Sequence, residues 1–167
     1  MPTSDYILNL RKKVGHDMLW LPGALALVLN DKDELLLSRR PDDNSWGLIG
    51  GFVELDEQPV DAAIREVLSE SGLEVEPQRV ASVTAYERTY RNGDQCRYLD
   101  TAFICRVVGG ALTVANDESL GFEWFALDKL PKMGDHDRLV VDNAFSTSAE
   151  AWYAPPKGRP STSNHNA

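Results

Sequence analysis

Cysteine is scarce in this chain of 167 residues: Cys96 and Cys105 are the only two, and neither belongs to a CxxC pair. This excludes a disulfide framework and a cysteine-based zinc site, and leaves two small apolar residues on strands. No apolar run approaches the ~18–20 residues that a membrane-spanning helix needs. The first twenty residues mix Asp, Arg, Lys and His with apolar ones, so no signal peptide is visible and the expected location is cytoplasmic. Basic residues are the minority, 17 Lys and Arg against 26 Asp and Glu, for a formal net charge of −9. Such a surface repels phosphate backbones and anionic lipids, so neither nucleic acid nor a membrane is an expected partner. A small anionic substrate would need bound cations to mask its charge. The three histidines, His16, His136 and His165, show no metal-ligand spacing and read as surface or packing residues.

What is present suffices for one domain with a buried core. Ser4 or Asp5 suits the cap of a short helix through YILNLRKKVG, with Gly15 as its stop. GALALVLNDKDELLLSRR reads as two strands around the polar turn Asn30–Asp33, apolar enough to be buried on both faces. PDDNSWGLIGGFVELDEQP reads as a loop-rich connector. From Pro59 to Gly72 the period becomes helical, with Val60, Ala63, Ile64 and Val67 on one face. Pro59 suits the first turn, Asp56 or Glu57 the positive helix end, and Gly72 the stop.

RVASVTAYERTYRNGDQCRYLDTAFICRVV reads as a long hairpin turning at Asn92–Gly93. GALTV and FEWFAL read as short strands, and HDRLVVDNAFS as a C-terminal helix. The Pro-, Ser-, Gly- and Asn-rich end after about Trp152 reads as disordered. Together the elements predict an α/β (α+β) fold, a mixed sheet with helices packed against it. The predicted organisation is an N-terminal extension over 1–18, one domain over 19–147 and a flexible tail over 148–167.

The chemistry concentrates in the acidic connector and helix: Glu54, Asp56, Glu57, Asp61, Glu66 and Glu70. Asp61 needs no role beyond solubility. Glu66 and Glu70 stand one helical turn apart at the edge of the apolar stripe. As a like-charge i,i+4 pair they cost the helix roughly 0.2–0.5 kcal/mol unless a positive charge sits between them. Arg65 is placed to pair with Glu57. A divalent cation would satisfy Glu66 and Glu70 together, since Mg²⁺ typically takes one or two carboxylates plus phosphate oxygens and water. The alternative on spacing alone is a plain solvated face.

The spacing Gly51, five residues, Glu57, seven residues, Arg65-Glu66-Val67, one residue, Ser69-Glu70, one residue, Gly72-Leu73 resembles the Nudix box, Gx5Ex7REUxEExGU. One position departs, Ser69 standing where the first Glu of the pair is usual. Upstream, LLLSRR…SWGLIGG is similar to the strand and glycine approach of Nudix hydrolases, with Ile49 where Pro is usual. The resemblance covers about residues 20–146. It implies a Nudix-like α/β/α sandwich and hydrolysis of a pyrophosphate bond in a nucleoside diphosphate linked to another moiety, with Mg²⁺ or Mn²⁺.

Residue by residue, it implies that Gly50 offers a backbone carbonyl to the metal and that Glu66 and Glu70 hold or orient the cations. Glu57 and Arg65 lock the loop onto the helix. Glu54 lies near the metals, and Glu118, in NDESLGFEWF, is an extra ligand or the general base. Which glutamate acts as base stays open. So does the substrate. Tyr90 lies 17 residues after Leu73, where relatives acting on diadenosine polyphosphates often carry tyrosine, although in a region with three tyrosines (Tyr86, Tyr90 and Tyr98) the default reading is a structural strand aromatic. Trp46 would stack on a base or anchor the core. Arg39 or Arg40 would grip a phosphate, at most one of them facing the site. Arg88 and Arg91 are similar candidates.

Two functions remain: an active hydrolase, and a non-catalytic Nudix domain that binds a nucleotide as a sensor or interaction module. A homodimer through the apolar edge of the N-terminal helix (Ile7, Leu8, Leu10) is also consistent, although that edge would equally cover its own sheet.

Overall fold

The computed structural model describes residues 5–41, 43–114, 119–146 and 149–156. Strand β1 (Leu19–Leu29) is the axis on which the rest is assembled. It lies parallel to β6 (Gln95–Gly110) along its whole length. Its other edge is shared. The stretch Gly23–Ala26 pairs antiparallel with β4 (Ile49–Phe52), and Leu29 pairs with Leu35 of β2 (Leu35–Arg39). The sheet therefore opens into a fork beside the Gly50–Gly51 pair. The main path runs β3 (Trp46–Gly47), β2, β1, β6, β5 (Leu73–Thr89), β8 (Trp152–Tyr153), and β7 (Gly121–Phe125) adds to β2.

Alternate residues of β1 serve two cores. Ala24, Ala26 and Val28 pack with Ala62, Ala63 and Val67 of helix α2 (Pro59–Ser71). Leu25, Leu27 and Leu29 pack with Val140, Val141 and Ala144 of helix α3 (Asp135–Ala144). That double burial explains the unbroken apolar run, and the result is a mixed sheet sandwiched between helices. Helix α1 (Asp5–Val14) puts Ile7 against Leu21, Cys96 and Tyr98, on the α3 side. Of its apolar edge, Ile7 thus covers the chain's own sheet, while Leu8 is exposed. Both cysteines are buried and unpaired. Among the described residues no helix is long and apolar enough to cross a membrane.

Several expectations are corrected. The loop-rich connector contains two strands, and Gly50 approaches β1 too closely for any side chain: a Cβ there would stand 2.3 Å from the Ala24 carbonyl oxygen. The hairpin begins at Leu73, directly after α2. The register shift between Pro77 and Arg79 lets a proline sit in the strand. GALTV forms no strand, since Gly110 turns the chain with φ 81° where β6 ends. The tail is not loose from its start, because Trp152 and Tyr153 run parallel to Ser82 and Val83. Residues 157–167 lie outside the described residues.

Gly72 ends α2 at φ 72°, and a Cβ there would meet the Ala111 carbonyl oxygen and Thr113 Oγ1, each at 2.8 Å. Gly72→Ala is expected to destabilise the fold by about 1–3 kcal/mol, combining the left-handed backbone with the close approach. Urea unfolding checks this, and an unchanged midpoint would contradict it.

Candidate active site

Helix α2 is fixed at its start before it presents any chemistry. Pro59 occupies the first turn, and Asp61 accepts the Gln58 backbone N–H at 3.1 Å. Asp61 therefore has a structural role that the sequence reading did not assign. Arg65 forms the next tie. Its Nε and Nη2 donate to the two oxygens of Glu57 at 2.9 and 2.5 Å, Nη2 also donates to the Phe52 carbonyl at 2.9 Å, and Nη1 to Glu66 Oε1 at 2.7 Å. Glu57 in turn accepts the Glu54 backbone N–H at 2.8 Å. The hydrogen bonds from Arg65 hold the Glu57 carboxyl below its ordinary range, against the opposing effect of burial.

Glu66 and Glu70 are 5% and 7% exposed, more buried than a helix edge suggests. Glu66 lies against Gly51, where a Cβ would stand 2.2 Å from its Oε1. Glycine at that position is thus what lets the carboxylate lie on β4. Glu70 has no hydrogen-bond partner among the described residues. Burial first, and then the charge of Glu66, pushes it up to about 7, with Arg40 pulling the other way. Two buried carboxylates one turn apart, sharing one guanidinium that reaches only the first, leave a deficit of positive charge.

The family profile described as NUDIX domain matches residues 19–144. The chain belongs to the Nudix family. A Methanocaldococcus jannaschii protein named ADP-ribose pyrophosphatase is 32% identical over 130 residues, covering 74% of this chain and 75% of its own length. A human protein named 8-oxo-dGDP phosphatase NUDT18 is 34% identical over 122 residues, which is 69% of this chain and 35% of its own. The crystal structure of an ADP-ribose pyrophosphatase from Streptococcus suis 89-1591 superposes with a TM-score of 0.62 at 25% identity, over 80% of this chain and 98% of that one. The protein is a Nudix hydrolase that acts on a pyrophosphate bond, and Nudix hydrolases generally use divalent metals.

The residues present fit such an ion. Among the described residues no three His, Cys, Asp or Glu side chains gather closely enough to form a metal cage. A Nudix box supplying two carboxylates instead suits a hard cation that keeps water and substrate oxygens as its other ligands. Glu118 lies outside the described residues. Ser69 Oγ donates to the Glu66 carbonyl oxygen at 3.2 Å, within the helix.

The expected substrate contacts divide. Trp46 packs edge-on to Phe125, with ring centroids 5.1 Å apart, against the core shared with α3, which is the core-anchor alternative of its two readings. Arg39 is exposed, its guanidinium 5.9 Å from the Trp46 ring. Glu54 is half-buried in the loop that Glu57 ties down. Tyr90 shares a 2.5 Å hydrogen bond with the Tyr98 hydroxyl and lines a cavity of about 640 Å³ with Arg11, Phe52 and Arg88. Arg40 does not reach outward, since its Nη2 donates to buried Asp137 at 3.0 Å. A side chain at Gly47 would occupy that space.

The sequence pattern leaves His136 a surface or packing residue. Its side chain is largely buried and bonds Asp100, a pairing with no linear spacing to reveal it. The glycine of strand residues Pro22–Gly23 was the one available signal, because Asp100 Oδ1 stands 2.1 Å from where a Gly23 Cβ would be. His16 is exposed, as expected, and bonds Asp94.

The raised Glu70 carboxyl has a consequence for stability. Between its ordinary 4.5 and about 7, the folded metal-free chain keeps a proton that the unfolded chain releases. Stability contributed by this group is therefore highest at the acid end and falls as pH rises through the window, by at most on the order of 3 kcal/mol. In EDTA, melting temperature is expected to fall less steeply from pH 4.5 to 7 in Glu70→Gln than in the wild type. Superimposable pH profiles would contradict the burial argument.

Proposed function

We propose that the protein is a Mg²⁺-dependent pyrophosphohydrolase, Mn²⁺ substituting, that cleaves a nucleoside diphosphate linked to another moiety. The observation that carries this reading is the buried Glu66–Glu70 pair, with its charge only half compensated by Arg65. When bound, a divalent cation neutralises phosphate charge and acidifies coordinated water. Glu66, Glu70 and the Gly50 carbonyl are the groups that would hold it. Arg65 and Glu57 keep Glu66 and the connecting loop in register with β4, and Glu54 orients water nearby. Glu118 is the further ligand or general base.

The catalytic unit is residues 19–147, with 1–18 as an extension that helps wall the larger cavity and 148–167 as a tail. A cytoplasmic monomer or homodimer, with no nucleic-acid or membrane partner, is consistent with the net charge of −9. The relatives named for ADP-ribose and for 8-oxo-dGDP set the first substrates to try.

Ser69 is neutral where a carboxylate is usual, so one cation position is weakened. Ser69 and Ile49, the two departures from the family pattern, favour the nucleotide-binding module, and both Glu66 and Glu70 argue for the enzyme. A panel of nucleoside diphosphate derivatives with Mg²⁺ or Mn²⁺ tests the proposal. Turnover is expected for at least one compound and is expected to fall on the order of 10²–10⁴-fold in Glu70→Gln. Ser69→Glu is expected to lower the Mg²⁺ concentration needed for half-maximal rate. No turnover, combined with a melting temperature raised by a nucleotide, would favour the binding module.

A further inference from the structure

A second cluster lies across the sheet from Glu66 and Glu70. At the start of α3 a chamber of about 300 Å³ is lined by Arg40, Tyr86, Arg88, His136 and Asp137, among others. His136 Nε2 is 3.0 Å from Asp100 Oδ2, and Asp100 is 4% exposed. A buried carboxylate needs a donor, so the proton sits on Nε2 whether the imidazole is neutral or charged. The ring lies flat on Tyr86, with centroids 4.0 Å apart and planes 14° apart, and Tyr86 stacks in turn on Tyr98 at 5.3 Å. The imidazole is thus fixed by a hydrogen bond and by a ring face.

Among the described residues, two ring side chains of this wall carry a polar atom without a hydrogen bond, His136 Nδ1 and the Tyr86 hydroxyl, and Ser45 and Asp135 add a hydroxyl and a carboxylate to the same lining. Arg40 and Asp137 are different. They bond each other, and Asp137 also accepts the Leu48 backbone N–H at 3.3 Å.

The cluster is attached to the strand that carries the site. The Cβ position at Gly23 that Asp100 Oδ1 fills lies 3.7 Å from the Gly51 carbonyl oxygen. Gly23 pairs with Phe52, and Ala24 with Gly51.

We propose that this chamber is a sugar subsite, in which His136 Nδ1 and the Tyr86 hydroxyl hydrogen-bond the hydroxyls of a sugar in the substrate. The proposal rests on the hydrolase reading above. A hydroxyl donates to neutral Nδ1 and accepts from a protonated one, so it is matched in either state. A phosphate only accepts, and of the two guanidinium groups in the wall Arg40 is held by Asp137 and Arg88 lies over the Tyr90 ring, 4.8 Å from its centroid. The volume lies at the small end of ligand pockets, with room for one ring rather than a nucleotide. His136 and Tyr86 thereby determine specificity for hydroxyl-bearing sugars.

The sugar is that of the nucleoside or that of the second moiety, and two matched pairs separate them. Isothermal titration with Mg²⁺ present compares AMP with 2′,3′-dideoxy-AMP, and ribose 5-phosphate with tetrahydrofurfuryl phosphate. The hydroxylated member of at least one pair is expected to bind about tenfold tighter. His136→Phe keeps the stacked ring without Nδ1. His136→Gln keeps an amide donor for Asp100 without Nδ1. Both are expected to bring the hydroxylated ligand to the level of its partner and leave that partner unchanged, with Tyr86→Phe giving a smaller loss.

No preference in either pair would overturn the subsite. So would an equal loss for both members in folded His136→Gln. A preference that persists while no pyrophosphate is hydrolysed would remove the hydrolase reading and leave the subsite standing. Hydrolysis without a sugar preference would do the reverse.

Discussion

The guanidinium of Arg65 joins three parts of the chain that would otherwise move independently: the loop through Glu57, the end of β4 through the Phe52 carbonyl, and the helix through Glu66. Its planar fork meets both oxygens of Glu57, a geometry that lysine cannot reproduce. With that fork in place, Glu66 is drawn down onto Gly51 and the strand is held against the helix. Glu70, one turn on, lies beyond the reach of those hydrogen bonds and keeps its proton to about pH 7. One cation thus organises the site and leaves it short of another.

The geometry of β1 decides where substrate has room. Because β4 and β2 share one edge of β1, the sheet forks beside the two glycines. Helix α2 closes one face, while α3 and α1 cover the other. Between these two helices lie the larger cavity beside Tyr90 and the smaller chamber beside His136, which share Asp43 and Arg88 in their walls.

The helix through Pro59–Gly72, the two-face burial of β1 and the hairpin at Asn92–Gly93 were legible because each has a periodic pattern or a specific turn residue. The Glu57–Arg65 pairing was legible for a related reason: both ends lie in one contiguous motif. What was hidden depends on contacts between distant segments. Gly50 and Gly51 look like loop residues until β1 is laid beside them. Trp46 reads equally as a stacking platform or a core anchor until Phe125 arrives from β7. His136 reads as a surface or packing histidine, and its partner is hidden because Asp100 comes from β6, 36 residues away in sequence. Asp61 was passed over because a cap depends on which residue begins the helix, and helix ends are the least certain part of any pattern.

A divalent cation is proposed to complete the buried Glu66–Glu70 pair. Adding Mg²⁺ to metal-free protein in weakly buffered solution near pH 7, with a pH indicator, tests it most directly. A carboxyl that titrates at about 7 without metal must lose its proton when a cation binds. The expected result is saturable proton release by the wild type and none by Glu70→Gln. Metal binding without proton release, or equal release by both proteins, would contradict it.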